Sequence, residues 1–398
     1  MQYDINRLDS GIFAGQTHQT TRVGTPSIIN FERGNNIQHG HEYEDAINSV
    51  STHPTHPGLV MTAGEERLVR LHDLRSPRSG LPSMEGQVAR NSEINDAQWC
   101  PTPGASHSFV VAEQNGNVSL MDTRMSFSAS INPVEDPRNV IQRYATWVSK
   151  PGSSACVAPE PSSVAFSSDG MRMAVTLKNF TPVLYDTFDM FPLAQCSANV
   201  GGASSPGVGS YANNCTVKHG SFGGAGLGLP EDSVYCAGSD DFRVYAWVIP
   251  SWETLKQAAR YSEADLWLSE MQDTTGSNMG FTTPDDRQRL AIPANLSQPS
   301  FRLGEHRSIV NTAAFHPTLP LIFTSGVESH IQVHSVRPIP GGRLSEPAER
   351  TRALPSPSAL SRLNFRAAMY GLSSLSVDEL QLHSGLSNED SSVMLFDE

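Results

Sequence analysis

A short unit recurs five times along the chain: a tight polar turn followed by a strand of alternating apolar residues. The clearest copy is Ser239–Trp247, where Asp240 and Asp241 form the turn and the strand ends on tryptophan. The other copies are 64–73, 115–122, 179–186 and 328–335. Counted back six residues from the position of that tryptophan, the copies carry Glu66, Asn115, Asn179, Asp241 and Glu328. Such side chains can bond their own backbone and hold a turn, while the period-two run behind them buries one face of a strand.

Two more strands precede these turns. An apolar strand that ends at a proline or small-residue turn opens four of the repeats, at 46–50, 94–99, 163–167 and 310–315. A second strand leads to the polar turn, at 59–63, 109–112, 173–176, 234–237 and 321–325. Two strands, a turn and a third strand make most of a propeller blade. The repeats therefore predict an all-β chain, a WD-repeat β-propeller with about five recognisable blades.

The composition agrees with this class and excludes others. The 31 glycines, 27 prolines and a charged fraction of only 17% fit many short strands joined by turns. A net charge of −13 with 28 Lys and Arg argues against a general nucleic-acid surface. The five cysteines are scattered without Cys-x-x-Cys spacing, which indicates reduced thiols. Without a signal-peptide pattern or an apolar run of membrane length, we expect an intracellular protein of the nucleus or cytoplasm that has no membrane partner.

We expect the propeller to occupy residues 1–340 and a flexible tail to occupy 341–398. The first forty residues contain one weak further unit, at 11–15 and 26–31. An open propeller would expose strand edges, so we expect either that amino-terminal blades are lacking or that degenerate segments close the ring. The tail is rich in Pro, Ser and Arg and then acidic, which predicts a largely disordered segment. Leu360, Leu363 and Ala367 fall on one helical stripe, which leaves a docking helix as the alternative.

Two insertions interrupt the repeats. Residues 197–230 are rich in Gly and Ser, and they predict a flexible loop, including 220–226, around a strand at 214–218. Residues 251–300 form the second insertion. In it Trp252, Leu255, Ala259 and Leu266 fall near helical spacing, which predicts a short amphipathic helix within 253–272 that packs on the propeller rim.

The candidate chemical groups favour a structural role. His41 and His306 follow glycine-containing turns, where WD repeats place a histidine that hydrogen-bonds within the blade, and no cluster at metal-ligand spacing surrounds them. The acidic pairs at 65–66 and 240–241 recur at one place in the repeat, which favours turn chemistry over acid/base catalysis. A nucleophile elbow and a phosphate-binding loop are lacking. We therefore expect a protein that is not an enzyme, with no catalytic residue, cofactor or metal.

The first two clear third strands both end in Asp-x-Arg. Asp73 is followed by Arg75, and Asp122 is followed by Arg124. Neighbouring blades then display a pair of arginines on one propeller face. Guanidinium groups provide multi-donor contacts at protein interfaces, although each arginine could instead simply pair with its aspartate.

This arrangement resembles the WD-x-Arg box of substrate receptors that bind the DNA-damage-binding adaptor of cullin-4 RING ubiquitin ligases. His72 and Met121 stand where the box prefers tryptophan. Further strings resemble, in order, the family of DDB- and cullin-4-associated factors, in particular the subgroup represented by its fifth member: 182–186, 214–218, 238–242, 247–250, 304–311 and 325–328. Together they cover roughly residues 40–338.

The resemblance implies a non-catalytic substrate receptor. Its adaptor-binding residues would be Asp73, Arg75, Asp122 and Arg124, and a second surface would present a protein substrate for ubiquitination. The alternative is a general WD-repeat scaffold in a nuclear or cytoplasmic assembly without a ligase role. Stable partners with no adaptor among them would be the signature of that alternative.

Overall fold

The computed structural model describes residues 27–30, 35–38, 45–56, 58–73, 86–102, 104–127, 139–153, 155–198, 211–269 and 279–335. Within these ranges the secondary structure is mostly β-strand in antiparallel sheets, with few helices, so the predicted all-β class is confirmed there. Arg75, His41, the weak unit at 11–15 and the tail at 341–398 lie outside the described residues.

The first part of the chain contains a hairpin and two four-stranded sheets. The hairpin is β1 (Ser27–Asn30) and β2 (Asn35–Gln38). Sheet I consists of β3 (Ile47–Thr52), β4 (Leu59–Gly64), β5 (Leu68–Asp73) and β6 (Gln87–Ala89). Sheet II consists of β7 (Ile94–Trp99), β8 (Ser108–Glu113), β9 (Val118–Asp122) and β10 (Val140–Arg143), with helix α1 (Thr123–Ser126) after β9.

The middle part continues with the short strands β11 (Trp147–Ser149) and β12 (Cys156–Val157). Sheet III begins with β13 (Pro161–Phe166), β14 (Arg172–Leu177), β15 (Val183–Asp186) and β16 (Pro192–Cys196). Sheet IV begins with β17 (Gly220–Gly223), β18 (Val234–Gly238) and β19 (Val244–Val248). Each of these sheets is an antiparallel meander in chain order.

The segment 251–300 does not form the one short helix that its spacing predicts. It contains helix α2 (Trp252–Ala258), β20 (Arg260–Glu263), helix α3 (Ala264–Ser269), β21 (Gly280–Thr282), β22 (Arg289–Ile292) and β23 (Ala294–Leu296). Strands β20–β22 join β11 and β12 in an accessory sheet of order β12-β11-β21-β22-β20, and β23 adds in parallel to β16. Leu255 is buried as the helical pattern requires, but Leu266 is 60% exposed.

The last described part of the chain completes sheet IV and forms one further sheet. Strand β24 (Phe301–Leu303) pairs with β19 as the fourth strand of sheet IV. Sheet V then consists of β25 (Val310–Phe315), β26 (Leu321–Gly326) and β27 (Gln332–Ser335). The five sheets I–V coincide with the five repeats of the sequence, since the period-two strands and polar turns fix where each meander begins and ends.

The first strands of sheets I–V lie side by side in chain order: β3 packs against β7, β7 against β13, β13 against β17, and β17 against β25. Side chains join them. Ser49 Oγ accepts a hydrogen bond from Ala97 N at 3.1 Å, and Ser51 Oγ accepts one from Trp99 N at 3.2 Å. Asp96 then accepts from Val164 N at 2.7 Å. These contacts advance in the same direction along both strands, so neighbouring sheets share one orientation.

The core lies between successive sheets. Met61 and Val69 of sheet I pack with Phe109 of sheet II, and Tyr235 and Trp247 of sheet IV pack with residues of sheet III. Burial of one such large side chain stabilises the fold by about 1.5–3 kcal/mol. The sheets therefore hold each other in place, each supplying apolar side chains to its neighbour.

The predictions for 214–226 were wrong. Residues 214–218 are not a strand, because the Asn214 and Cys215 amides donate to the Asp240 carboxylate instead of to a neighbouring strand. The expected loop at 220–226 instead contains β17 and a 3-10 turn at Ala225–Leu227. Glycine is needed at Gly223 because a Cβ there would overlap the Phe315 ring. No helix in the described part of the chain has the length and apolar character needed to cross a membrane.

Candidate functional site

Arg124 is held in place by the aspartate two residues before it. Strand β9 ends at Asp122, which is the N-cap of α1 and accepts a hydrogen bond from Arg124 N at 2.8 Å. The Arg124 guanidinium also binds the same carboxylate, with Nε 3.0 Å from Oδ1 and Nη2 2.7 Å from Oδ2. The aspartate side chain is 8% exposed, but the arginine side chain is 68% exposed. The carboxylate therefore fixes an arginine that remains open to a partner.

The charge state of this pair is well defined. The hydrogen bond from Arg124 lowers the pKa of the Asp122 carboxyl below its ordinary value, and the same bond raises the pKa of the Arg124 guanidinium. Both groups are therefore charged at neutral pH. This two-point contact, the Asp122–Arg124 fork, fixes the orientation of the guanidinium but leaves some of its N–H donors unused. Arg124 can therefore make a directional contact with a carboxylate or a carbonyl of a partner.

Asp73 lies at the position in sheet I that corresponds to Asp122 in sheet II. Asp73 is the last residue of β5 and pairs with Leu59, the first residue of β4. Asp122 pairs in the same way with Ser108, the first residue of β8. Since the two sheets share one orientation, both aspartates lie at the same face. Three of the four predicted residues therefore lie at one face, while the position of Arg75 and the role of all four in binding stay predictions.

A third aspartate, which was not predicted from the sequence, also ends the third strand of its sheet. Asp186 ends β15, and its Oδ1 accepts a hydrogen bond from Phe188 N at 3.2 Å. Its Oδ2 accepts a hydrogen bond at 3.0 Å from Lys256 Nζ of α2. A cation therefore again lies beside the strand-end aspartate, although it comes from the insertion. The sequence does contain a signal for Asp186, because an aspartate ends the third strand in three of the five repeats.

The turns between the first and second strands of sheets I–V lie on the same face as these aspartates. They touch one another in order. The His53 ring lies 4.6 Å from the Trp99 ring, Cys100 Sγ donates to Gly170 O at 3.8 Å, and the Ser168 hydroxyl donates to Asp232 at 2.6 Å. We call the surface formed by these turns and by the strand ends at Asp73, Asp122 and Asp186 the arginine face.

Large apolar side chains are exposed on the arginine face. Their exposed fractions range from 38% to 46%, and they are Met125, Met171, Phe188, Leu229 and Leu319. Protein interfaces are enriched in methionine, aromatic side chains and arginine at their core and have a polar rim. The arginine face therefore has the composition of a protein-docking surface.

The residues at the two tryptophan positions of the box are both buried. His72 Nε2 and Thr62 Oγ1 are hydrogen-bonded at 2.9 Å, and Met121 packs in the core between sheets I and II. These side chains hold the ends of β5 and β9 from within the sheets. They support the position of the aspartates rather than forming part of the arginine face.

Two other candidate chemical groups, His306 and Asp240, are buried. His306 Nε2 and Thr324 Oγ1 are hydrogen-bonded at 2.7 Å, and Thr324 Oγ1 is 2.9 Å from His334 Nε2. Burial lowers the pKa of His306 to about 4, so the imidazole is neutral. Asp240 forms a buried ion pair with Lys218 at 2.6 Å. In the described ranges, no group of three or more His, Cys, Asp or Glu side chains is placed to hold a metal ion.

Fold and site together define a repeat protein of the all-β class that collects charged and apolar side chains on one face. No family model matches the chain. The chain is similar to the DDB1- and CUL4-associated factor 5 of mouse and to that of human, with 24% identity over 299 residues in both cases. The match covers 75% of this chain but 24% of each relative, so the chain spans about a quarter of the length of the curated relatives it matches. This distant similarity supports the resemblance to the family found in the sequence, and the subgroup stays a prediction.

Proposed function

We propose that this chain is a WD-repeat propeller region that acts as a substrate receptor of a cullin-4 RING ubiquitin ligase. The observation that carries the proposal is the Asp122–Arg124 fork, which presents an exposed arginine on the same face as Asp73. The distant similarity to two proteins named as DDB1- and CUL4-associated supports the choice of the adaptor as the partner of that face. Sheets I–V would be consecutive blades, since they share one orientation and pack in chain order.

In this proposal the arginine face docks on the DNA-damage-binding adaptor. Arg124 and Arg75 provide directional contacts, and Met125, Met171 and Phe188 supply apolar area around them. Hot spots at protein interfaces combine a guanidinium with surrounding apolar side chains that exclude water. Lys256 beside Asp186 would extend the same charge pattern to sheet III.

The chain then contributes position rather than chemistry. The opposite face, formed by the polar turns at 65–67, 114–117 and 327–331, would present a protein substrate to the ligase. Holding two macromolecules together raises the local concentration of the substrate at the ubiquitin-transferring enzyme. We propose that the chain itself has no catalytic activity and that it works in the nucleus or the cytoplasm.

Co-purification of the tagged full chain with the adaptor tests the proposal. Arg75→Ala combined with Arg124→Ala should abolish co-purification, and Arg124→Lys alone should weaken it because lysine keeps the charge but loses the fork. The matched control is Arg307→Ala, an exposed arginine near the start of β25, on the opposite face. Folding of each variant is verified by circular dichroism and thermal melting.

The outcomes separate the two functions weighed above. Loss of the adaptor only in the Arg75 and Arg124 variants supports the receptor and locates its docking face. If the wild-type chain instead captures stable partners among which the adaptor is absent, the receptor proposal is wrong and the general scaffold takes its place.

A further inference from the structure

The two faces of sheet V differ. One face carries Ala313, Phe315 and Ile322, which are buried against Val234 and Val244 of sheet IV. Paired residues on neighbouring strands point to the same side of a sheet, and successive residues alternate between sides. The opposite face therefore carries Ala314, Phe323 and Val333, which form one row across the three strands, together with Leu321 and Ile331. We call this second surface the open face.

The open face is exposed in a way that the equivalent faces of sheets II–IV are not. All residues of β8 and β18 are buried, and so are all but the first residue of β14. In β26, by contrast, the residues of the open face, Leu321 and Phe323, are half-buried. On β27 and just before it, Val333 is 43% and Ile331 is 65% exposed. A contiguous apolar sheet face of this kind marks an interaction surface.

We propose that the tail segment 359–372 of this same chain covers the open face. The chain leaves the described residues at Ser335, the last residue of β27, and Ser335 pairs with Leu321 of the open face. The 63 residues that follow, 336–398, therefore start from the edge of the surface itself. The 24 residues between Ser335 and Leu360 reach about 80 Å when extended, which is ample for a return to the sheet.

The sequence of the segment fits the surface. Leu360, Leu363, Ala367 and Tyr370 fall at spacings of 3, 4 and 3 residues, which is one apolar stripe of a helix. Eleven residues of helix are roughly 15 Å long. The two outer strands of a three-stranded sheet lie about 10 Å apart. The stripe is therefore long enough to cross β25, β26 and β27, and Arg362 and Arg366 do not belong to it.

A tethered segment has an advantage over a second copy of the chain. A flexible connection gives the tail an effective concentration on the order of 1 mM at the open face, whereas free copies in a dilute solution are far scarcer. Amphipathic helices that lay an apolar stripe into a hydrophobic surface are a common mode of recognition. The tail segment therefore occupies the open face in the isolated chain.

Limited trypsin digestion of the full chain tests this assignment. Trypsin can cleave after Arg343, Arg350 and Arg352 in the connection, and after Arg362 and Arg366 in the segment. Cleavage after Arg362 and Arg366 should be at least about tenfold slower than cleavage in the connection, because proteolysis follows the population of the released segment. Peptide mass spectrometry at successive times gives each rate.

Variants on both partners sharpen the test. Val333→Asp on the open face, and Leu360→Asp with Leu363→Asp on the stripe, should each raise cleavage after Arg362 and Arg366 to the rate of the connection. The matched control is Leu375→Asp with Leu380→Asp, two leucines that lie beyond the segment, and it should leave the protection unchanged. The tail variants leave the sheets intact, so the test holds even if Val333→Asp disturbs β27.

Two results would overturn the proposal. One is equal cleavage rates across the whole tail in the wild-type chain. The other is a dimer mass in light scattering together with protection that disappears on dilution, which would assign the open face to a second copy of the chain.

Discussion

The aspartate at the end of β9 has two local tasks. Asp122 caps α1 through the Arg124 amide and holds the Arg124 guanidinium in a fork. Because the folded-state pKa of Asp122 is lowered, its contribution to stability is complete above the ordinary carboxyl pKa and is lost as the pH falls through the folded-state pKa. Stability and presentation of the arginine are therefore coupled at this residue.

We predict that Asp122→Ala lowers the free energy of unfolding by about 1 kcal/mol at pH 7, the typical loss for a helix cap. The difference from wild type should shrink as the pH falls through the folded-state pKa of Asp122, since the wild-type carboxyl is then protonated. Urea denaturation at several pH values measures it. Asp285→Ala, at an exposed ion pair with Arg143, is the control and should change stability little. An equal loss in both variants would contradict the capping role.

His306 predicts a second pH dependence. Its folded-state pKa of about 4 lies below the ordinary 6.5, so the unfolded chain binds more protons between these values. Stability is therefore highest above pH 6.5 and falls as the pH drops toward 4, by on the order of 3 kcal/mol. His306→Gln should lower stability at pH 7 but flatten this slope. His330→Gln, at a side chain 55% exposed, should keep the wild-type slope, and an unchanged slope in His306→Gln would refute the assignment.

At the scale of elements, the buried Lys218–Asp240 pair anchors the segment before β17 to the turn between β18 and β19. Both side chains are essentially inaccessible, and Lys218 Nζ also donates to Thr216 O at 3.1 Å. Burial lowers the pKa of Lys218 below its ordinary value, while Asp240 acts in the opposite direction. Residues 214–218 are therefore held in place by this ion pair and not by pairing with a neighbouring strand.

We predict that Lys218→Met destabilises the fold by about 3–5 kcal/mol, since it leaves the Asp240 carboxylate buried without its cation. The double variant with Asp240→Asn should recover part of that loss. Lys178→Met, at the more exposed pair with Glu160, is the matched control and should cost about 1 kcal/mol or less. Chemical denaturation compares the variants, and a small loss in Lys218→Met would show that the pair does not anchor the segment.

The strands and the turns of sheets I–V could be predicted because their apolar residues alternate and polar turns bound them. The strand–helix–strand arrangement of 251–300 could not, since β20 and β22 pair with each other across 26 residues and carry few alternating apolar side chains. At the candidate site, the positions of Asp73 and Asp122 at strand ends could be predicted from the repeat. Lys256 was not, because it reaches Asp186 from 70 residues away on another element.

At the scale of the whole molecule, one shared orientation of sheets I–V decides where function can lie. Features that recur at one place in the repeat collect on one face, so the strand-end aspartates and the exposed apolar turns form a single surface. The accessory sheet packs at the side of sheets II and III through Val148 and Phe281 and leaves Arg124 exposed. We therefore predict one docking face.

Hydrogen–deuterium exchange of the full chain, with and without purified adaptor, tests whether the arginine face is the docking face. We predict slower exchange in peptides that cover 100–107, 123–127 and 167–171, with no change at 65–67, 114–117 and 327–331. The Arg75→Ala and Arg124→Ala double variant should lose the protection. Protection confined to the second set of turns, or none at saturating adaptor, would contradict the assignment of the arginine face.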